Sequence, residues 1–391
     1  MKNEIKSLLA FIILIPIISV LKSNAQGSIS IAEHSSAKKI WDIPHKTAKQ
    51  KLMWLPRSFA FEITKEHVIN YDTAYIQSYH KRLVISLPIS TQFLKFSLID
   101  FKSVNKLIFV PNINYNLGVS VSSRWASFTI NTGIEIFNHD IDIKGITKYQ
   151  DFQLNLYSRK FTTEMYVQYY NGFYIKNSSS FTAYISDKPY DIRSDVNALN
   201  IGISSYYIIN HRRISFGNSF AFVEQQKKSA GSFLFGLYYF YFAAAGSPSL
   251  ITSPFKNSFD SLSLIQNGHT NNFGLNFGYI YTFVFFKRCY ATASIVQGIG
   301  GEQLFYKRDD NSIYNQLLGG AAKLNMRFAL GYDNGRYFIG SMGMFDYLFS
   351  NQKTNATFEY SFGQFMIYIG YRFSVLKTEK KLLHHFKLID Y

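Results

Sequence analysis

Apolar and polar residues alternate along most of this chain, and the pattern recurs about a dozen times between residues 81 and 373. One run places Leu324, Met326, Phe328 and Leu330 on one side and Lys323, Asn325, Arg327 and Gly331 on the other. Successive side chains of a β-strand point to opposite faces, so such a run predicts a strand with one apolar and one polar face. Many runs have about 10–14 residues, roughly twice the usual strand length in a soluble sheet.

The turns between these runs alternate between short and long. Short turns are predicted at 122–124, 158–160, 210–212, 286–288 and 333–335, and long loops near 137–149, 176–195, 244–270, 301–316 and 349–360. Short turns at one end and long loops at the other are typical of outer-membrane barrels. The chain is therefore predicted to be all-β, forming a transmembrane antiparallel up-and-down β-barrel.

The strand number follows from counting the runs. Thirteen can be counted between Arg82 and Phe373, whereas single-chain bacterial barrels have an even number of strands. The short–long order also breaks between a turn at 226–232 and the turn at 286–288. One further crossing within 244–270 would repair both faults, so about 14 strands are predicted, with 12 as the alternative.

A soluble β-sandwich would also produce alternating strands, but two further features favour the barrel. The polar faces are rich in glycine, asparagine, serine and charged residues, as expected for an inner barrel wall. Tyrosines cluster at the ends of the runs, as at Tyr169-Tyr170 and Tyr206-Tyr207. A membrane barrel has its interfacial aromatic girdles at such positions.

The composition agrees with this reading. The chain has 37 Phe and 29 Tyr, yet its mean hydropathy is only −0.05. Alternating faces reconcile the two values, because lipid-facing and lumen-facing side chains average out. Beyond the N-terminal segment, no stretch approaches the roughly 18–20 consecutive apolar residues of a membrane helix. Cys289 is the single cysteine, which excludes an intramolecular disulfide and a thiolate metal cluster.

The first 25 residues have the pattern of a secretory signal peptide. Lys2 and Lys6 lead into an apolar run over residues 8–21, and small residues at 23–25 permit cleavage before Gln26. An uncleaved anchor helix is the alternative, although the run is short for a membrane span. Four segments are expected: a signal peptide at 1–25, a lead segment at 26–80, the barrel at 81–373 and a basic tail at 374–391.

The lead segment shows no alternation, and we interpret it as a periplasmic or lumen-entering segment, with a disordered linker as the alternative. The exported barrel is expected in the outer membrane of a Gram-negative bacterium. Its final strand ends in Tyr371-Arg372-Phe373, an aromatic terminus that is similar to the signal read by the barrel-assembly machinery. That machinery is therefore one expected partner.

The formal net charge of +16 raises the question of an anionic partner. Nucleic acid is not expected, because the chain has no helix-turn-helix pattern, no paired Cys/His spacing and no Arg/Lys-rich tract. Outer-membrane lipid and lipopolysaccharide, whose phosphates Lys and Arg neutralise, are the expected partners of the basic side chains. A small solute or a protein partner is left open.

Several short motifs, taken in order, carry a resemblance to a known family. They are Tyr71-Asp72-Thr73-Ala74-Tyr75-Ile76, Val110-Pro111-Asn112, Leu117-Gly118-Val119, Gly172-Phe173-Tyr174, Arg193-Ser194-Asp195 and Glu224-Gln225-Gln226-Lys227-Lys228-Ser229-Ala230-Gly231-Ser232. Through these motifs, over roughly residues 70–375, the chain resembles a family of Bacteroidota outer-membrane barrels classified as a domain of unknown function. The resemblance implies an outer-membrane barrel and supplies no activity, substrate or catalytic residue.

No catalytic, metal or cofactor site is expected. Most of the nine histidines fall outside predicted strands, and none stands beside a serine in a recognisable catalytic pattern. Asp309-Asp310-Asn311 and His384-His385 lack the spacing of dedicated metal sites. The segment with Glu224, Gln226, Lys227 and Lys228 is interpreted as a tight charged hairpin. The alternative is a polar plug or a binding rim for an anionic group.

The phase of the alternation assigns a set of charged side chains to the lumen: Arg82, Glu135, Glu164, Lys323, Arg327 and Arg372. Facing lipid at the midplane would cost Lys or Arg about 2–4 kcal/mol. Arg82 and Arg372 are expected to be neighbours, because closure pairs the last strand with the first. If the lumen is open, these cations predict a preference for anions; if they pair with acids, the interior is sealed.

The same phase predicts the outcome of arginine substitutions. Phe128→Arg and Phe277→Arg are expected to impair assembly, whereas Asn131→Arg and Asn276→Arg are expected to be tolerated. The sequence therefore predicts a non-enzymatic barrel, either a narrow channel or a structural and binding barrel of the outer membrane. The alternative is a membrane-embedded enzyme that acts on outer-membrane lipid.

Overall fold

The computed structural model describes residues 70–79, 82–113, 115–123, 126–133, 140–351 and 356–374. The predicted signal peptide, most of the lead segment, Glu135 and the tail after residue 374 lie outside these ranges. The strands within them are β1 (Ile76–Ser78), β2 (Arg82–Asp100), β3 (Lys106–Val110), β4 (Asn116–Ser123), β5 (Ala126–Gly133), β6 (Lys148–Tyr157), β7 (Phe161–Ile175), β8 (Asp191–Ile208), β9 (Glu224–Gln226), β10 (Ala230–Ala245), β11 (Ile265–Phe285), β12 (Cys289–Arg308), β13 (Ile313–Asp333), β14 (Tyr337–Asn351) and β15 (Ala356–Ser374).

Short helices lie only in the connections of this described part. They are α1 (Ile141–Lys144), α2 (Phe216–Phe220) and α3 (Ser253–Lys256), with 3-10 helices at Ser178–Ser180 and Ser261–Ser263. Among the residues described, no helix has both the length and the apolar character needed to cross a membrane.

The alternation of the sequence becomes an alternation of exposure. On β11, Phe273, Leu275 and Phe277 are exposed on the outer face of the sheet, whereas Asn272 and Asn276 are buried inside. The outward row is apolar from residue 273 to residue 283. Eleven strand residues span roughly 36 Å, or about 25 Å across a bilayer at a 45° tilt. This height matches the apolar band of a membrane barrel.

The sheet closes into a ring. Neighbouring strands pair antiparallel, and β15 pairs along its whole length with β2, from Ala356 opposite Asp100 to Ser374 opposite Arg82. No edge strand is therefore left between the first and last strands of the wall. The predicted all-β antiparallel barrel is confirmed. We call the end that carries Arg82 and Ser374 the short-turn end and the opposite end the loop end.

Thirteen strands form the described sheet. Two of them, β3 and β4, pair one after the other with the same strand, β2. The described ring at the short-turn end therefore contains twelve strands: β2, β4, β5, β6, β7, β8, β10, β11, β12, β13, β14 and β15. The further crossing predicted within 244–270 does not exist. The break in turn order arises because residues 209–229 fold inward instead of crossing the wall.

The barrel narrows toward the loop end. There β3 pairs directly with β7, with Val110 opposite Tyr174, so β5 and β6 end below this level. The backbone N–H of Asn112 donates to Thr147 Oγ1 at 2.7 Å, and Thr147 Oγ1 donates to the carbonyl of Gly172 at 2.7 Å. Gly172 has φ +92°, and a Cβ would lie 2.2 Å from the Ile146 carbonyl oxygen. Two of the family motifs thus form the junction where β7 changes partner.

Arginine substitutions at adjacent β11 positions test how full the interior is. Phe277→Arg is expected to reduce assembly, because it places a charge on the lipid-facing band. Asn276→Arg is also expected to do so, contrary to the sequence-based expectation, because Asn276 is only 2% exposed and its Oδ1 lies 2.9 Å from where a Cβ on Gly298 would be. The folded fraction after refolding into vesicles, read as heat-modifiable mobility on gels, measures both. Gln303→Arg, at an exposed polar position, is the control. Full folding of Asn276→Arg would indicate free space in the lumen at the level of Asn276.

Candidate functional site

An insertion enters the barrel from the short-turn end. It comprises residues 209–229, between β8 and β10, and contains α2 and β9. The helix is short but capped, because Ser215 Oγ accepts from the backbone N–H of Asn218 at 2.9 Å. All five α2 residues are buried. Phe220 reaches the Arg327 guanidinium of the inner wall, 6.0 Å from its ring centroid.

Polar contacts fix the insertion to the wall. Ser219 Oγ is hydrogen-bonded to Thr292 Oγ1 of β12 at 2.7 Å. Arg372 Nε of β15 donates to the Phe222 carbonyl at 2.8 Å, and the Phe222 ring packs against Tyr368 at 4.3 Å. The insertion therefore occupies the lumen at this end and is held by several strands.

The segment Glu224–Lys228 divides between the inside and the outside of this insertion. Glu224 accepts hydrogen bonds from Arg159 and from Ser215. Gln226 is buried, and its Oε1 accepts from the backbone N–H of Ser215 at 2.9 Å. Lys227 and Lys228 are exposed at the mouth. Glu224 and Gln226 therefore stabilise a lumen insertion, which is closer to the polar plug than to the simple hairpin interpretation.

Residues 70–79 of the lead segment lie against this insertion. Strand β1 pairs antiparallel with β9, with Ile76 opposite Gln226. Tyr79 OH donates to Gln225 Oε1 at 2.9 Å, and the Tyr79 ring lies 4.3 Å from the Arg372 guanidinium. Residues 70–79 therefore cover part of the mouth at the short-turn end.

The loop end has its own seal. In the connection between β10 and β11, the side chains of Leu250, Ile251 and Phe255 are fully buried. Arg193 holds this connection: it donates to the Leu250 carbonyl at 2.6 Å and to both Asp195 carboxylate oxygens at 2.9 and 2.7 Å. The motif Arg193-Ser194-Asp195 thus anchors an apolar cap.

Between the two ends, the inner row of β15 contacts other parts of the wall at successive levels. Phe242 of β10 stacks on Tyr360 at 4.6 Å. Below it, Tyr166 of β7 packs on Phe362 at 4.6 Å. Further down, Gln153 of β6 donates to Gln364 at 3.2 Å, and Tyr290 of β12 is hydrogen-bonded to Tyr368 at 3.0 Å. The contacts with β10 and β7 join nearly opposite sides of the twelve-strand ring, and those with β6 and β12 join strands that are not neighbours. Side-chain packing between non-neighbouring strands therefore fills the lumen at these levels.

Buried ion pairs lie in the lumen at mid-height, and one of them crosses it. Arg327 of β13 makes a bidentate contact with Glu164 of β7. Lys323 Nζ lies 3.1 Å from Asp346 Oδ1, donates to Ser204 Oγ at 3.0 Å and lies 4.4 Å from the Phe240 ring centroid. A cavity of about 60 Å³ lies beside these groups. It has room for roughly four to six waters, which is far short of a continuous channel.

This geometry corrects the hypothesis of a cationic, anion-selective patch. Lys323 and Arg327 are paired with carboxylates, and Arg372 is paired with Asp333 at 2.7 and 2.6 Å. Arg82 and Arg372 do lie on adjacent strands, as expected: Arg82 is opposite Ser374, and it donates to the Gly335 carbonyl at 2.9 Å. Glu135 lies outside the described residues.

Asp333 and Asp346 were missed as partners by sequence reasoning. Asp333 stood in a predicted turn, and Asp346 lies on β14 with the polar phase of that strand. The alternation of β14 could have assigned Asp346 to the interior. It could not have placed it at the height of Lys323.

Two histidines fall within the described ranges. His269 of β11 lies on the outer face, stacked on Phe305 at 4.9 Å. His211 Nδ1 contacts the Ile209 carbonyl at 3.2 Å in the turn that leads into the insertion. In this part of the chain neither ring is hydrogen-bonded to a serine hydroxyl. No group of three or more metal-ligating side chains occurs among the described residues.

Residues 70–373 match the model of the family described as Domain of unknown function (DUF4421). No curated protein sequence matches the chain. Among solved structures, the chain is similar to the translocator domain of the autotransporter NalP from Neisseria meningitidis, at 8% identity and TM-score 0.31, covering 84% of this chain and 96% of that one. It is also similar to the Pseudomonas putida toluene transporter TodX, at 9% identity and TM-score 0.25, covering 74% of this chain and 89% of that one.

Proposed function

Given that this chain belongs to the family described as Domain of unknown function (DUF4421), we propose that it is a closed, non-enzymatic β-barrel of the outer membrane. Its role is that of a structural and binding barrel rather than a constitutively open channel. The single observation that carries the proposal is the lumen, in which side chains of β15 contact non-neighbouring strands at four levels, two of these contacts reaching nearly opposite strands.

The outer surface supports the membrane location. Large apolar side chains are exposed around the wall, among them Leu237, Leu275, Ile299, Leu330 and Ile367. In water, a continuous exposed apolar band of this size would be strongly unfavourable, whereas lipid solvates it. The predicted signal peptide supports export to the outer membrane.

The interior supports a structural role. The buried charges at mid-height are paired with one another, Arg327 with Glu164 across the lumen and Lys323 with Asp346 on the neighbouring strand. Charges paired in this way do not line a water-filled pore. The enzyme alternative gains no support from the two described histidines, which lie on the outer face and in a turn.

Fractionation tests the location. The wild-type protein is expected in the outer-membrane fraction, with the signal segment removed before Gln26 and with mobility on gels that changes on heating. Cell fractionation, N-terminal sequencing and unheated gels give the three results. Recovery of the full-length protein from the cytosol would contradict both the export and the membrane barrel.

A further inference from the structure

The net positive charge of the described residues is concentrated at one end of this barrel. We propose that the short-turn end binds the phosphate headgroups of anionic phospholipid in the leaflet that faces these turns. The proposal rests on the membrane location proposed above. It differs from the sequence-based expectation of lipopolysaccharide in placing the basic surface on the opposite leaflet, because short turns of outer-membrane barrels are periplasmic.

The first observation is the balance of charge among the described residues. The four charged side chains at mid-height, Glu164, Lys323, Arg327 and Asp346, sum to zero. Of the remaining described side chains, those in the short-turn half comprise eleven Lys and Arg against three acids, Asp72, Glu224 and Asp333. Those in the loop half comprise eleven Lys and Arg against twelve Asp and Glu. One end is therefore strongly basic, whereas the other is close to neutral.

The second observation is how the cations are paired. At the loop end, Lys102 Nζ lies 2.5 Å from Asp260 Oδ2, and Lys256 Nζ lies 2.8 Å from Asp309 Oδ2. The Lys102 hydrogen bond holds the pKa of the Asp260 carboxyl below its ordinary value, so this loop acid stays charged and neutralises its partner. Two of the loop acids thus neutralise basic side chains at this end.

At the short-turn end, Arg213 lies near Asp72, but three other exposed cations have no acidic partner among the described residues. Arg212, Lys287 and Arg336 are exposed, and no acidic side chain of the described residues forms an ion pair with them. The sequence on either side of the described residues is also basic: residues 26–69 contain seven Lys and Arg against four acids, and residues 375–391 contain four against two. The surplus of positive charge therefore makes this end attractive to an anionic partner.

The third observation places these cations at the level of lipid headgroups. Phe286, beside Lys287, is 87% exposed, and Arg288 Nη1 donates to Tyr332 OH at 3.3 Å. Arg336 precedes Tyr337, whose ring packs against Tyr371 at 5.2 Å. Tyrosine and other aromatic residues of a barrel lie at the membrane interface. Cations directly beyond such a girdle are within reach of lipid phosphates, which they bind by charge-assisted hydrogen bonds.

The preference for anionic lipid can be measured on the refolded mature barrel in phosphatidylcholine vesicles. Spin-labelled phosphatidylglycerol and phosphatidylcholine with the same acyl chains are compared by electron paramagnetic resonance. Each cation near the surface contributes roughly fivefold to the association of anionic lipid at low salt. We expect wild type to favour phosphatidylglycerol by about tenfold or more, and added salt to reduce the preference.

Two matched variants locate the binding surface. The triple variant Arg212→Gln, Lys287→Gln, Arg336→Gln is expected to lose most of the preference. The triple variant Lys106→Gln, Lys176→Gln, Lys188→Gln removes the same charge from the loop end and is expected to behave like wild type. Equal affinity of wild type for both lipids, or loss of the preference in the loop-end variant alone, would overturn the proposal. Heat-modifiable mobility is checked first, because failure to insert would count against the membrane barrel itself.

Discussion

Asp333→Ala is expected to lower the free energy of unfolding of the barrel by about 3–5 kcal/mol, as removal of one partner from a buried ion pair does. Arg372 is 1% exposed, and Asp333 accepts both of its terminal N–H groups. Without Asp333, the guanidinium keeps its charge in a site closed off by Tyr79 and Phe338. Guanidinium-induced unfolding in detergent micelles measures the change.

The matched control is an exposed ion pair. Lys102→Ala removes the contact with Asp260, but the Lys102 side chain is 69% exposed, so the expected loss is below about 1 kcal/mol. A loss from Asp333→Ala no larger than that of the control would mean that water reaches Arg372 and that the short-turn end is not sealed.

The same pair links the wall to the insertion. Arg372 Nε donates to the Phe222 carbonyl, and Gln225 Nε2 donates to the Asp333 carbonyl at 2.7 Å. Asp333→Ala is therefore also expected to loosen residues 209–229, which limited proteolysis of the folded protein would detect as new cleavage there.

The alternation of the sequence predicted the strands and their faces because both depend on local geometry. The row Leu324, Met326, Phe328 and Leu330 lies outside, as its period of two requires. Closure between the first and last strands also followed from the fold class, and it brought Arg82 beside the strand that carries Arg372.

The insertion was not predictable in the same way. Ile214, Phe216, Phe220 and Phe222 are all even-numbered, so their spacing looks like one more strand between two turns. In the structure, Ser215 caps a single helical turn, and the apolar side chains pack inside the lumen. The packing of these side chains inside the lumen determines the local conformation. The spacing of apolar residues in the sequence does not report on that packing.

The pairing of the lumen charges depends on height and position round the ring. Glu164 and Arg327 are 163 residues apart and meet only because the wall brings β7 opposite β13. The phase of alternation assigns each to the interior but does not say which charges share a level. For this reason an open cationic lumen and a sealed paired one were equally compatible with the sequence.

The second large effect concerns conduction through the barrel. Aromatic contacts such as those of Tyr360 with Phe242 and of Phe362 with Tyr166 close the lumen toward the loop end. The insertion closes it at the short-turn end. Arg327→Glu is therefore expected to lower the stability of the barrel, because the new carboxylate would lie beside that of Glu164. It is not expected to produce an ion-selective current.

Single-channel recording in planar bilayers tests the closed lumen most directly. Protein whose insertion has been verified by heat-modifiable mobility is added to the bilayer, with a known open porin as the positive control. The closed-barrel account predicts a baseline without stable conductance steps for wild type at moderate voltage. Reproducible steps of defined size from the wild-type protein, whether selective for anions or for cations, would contradict it.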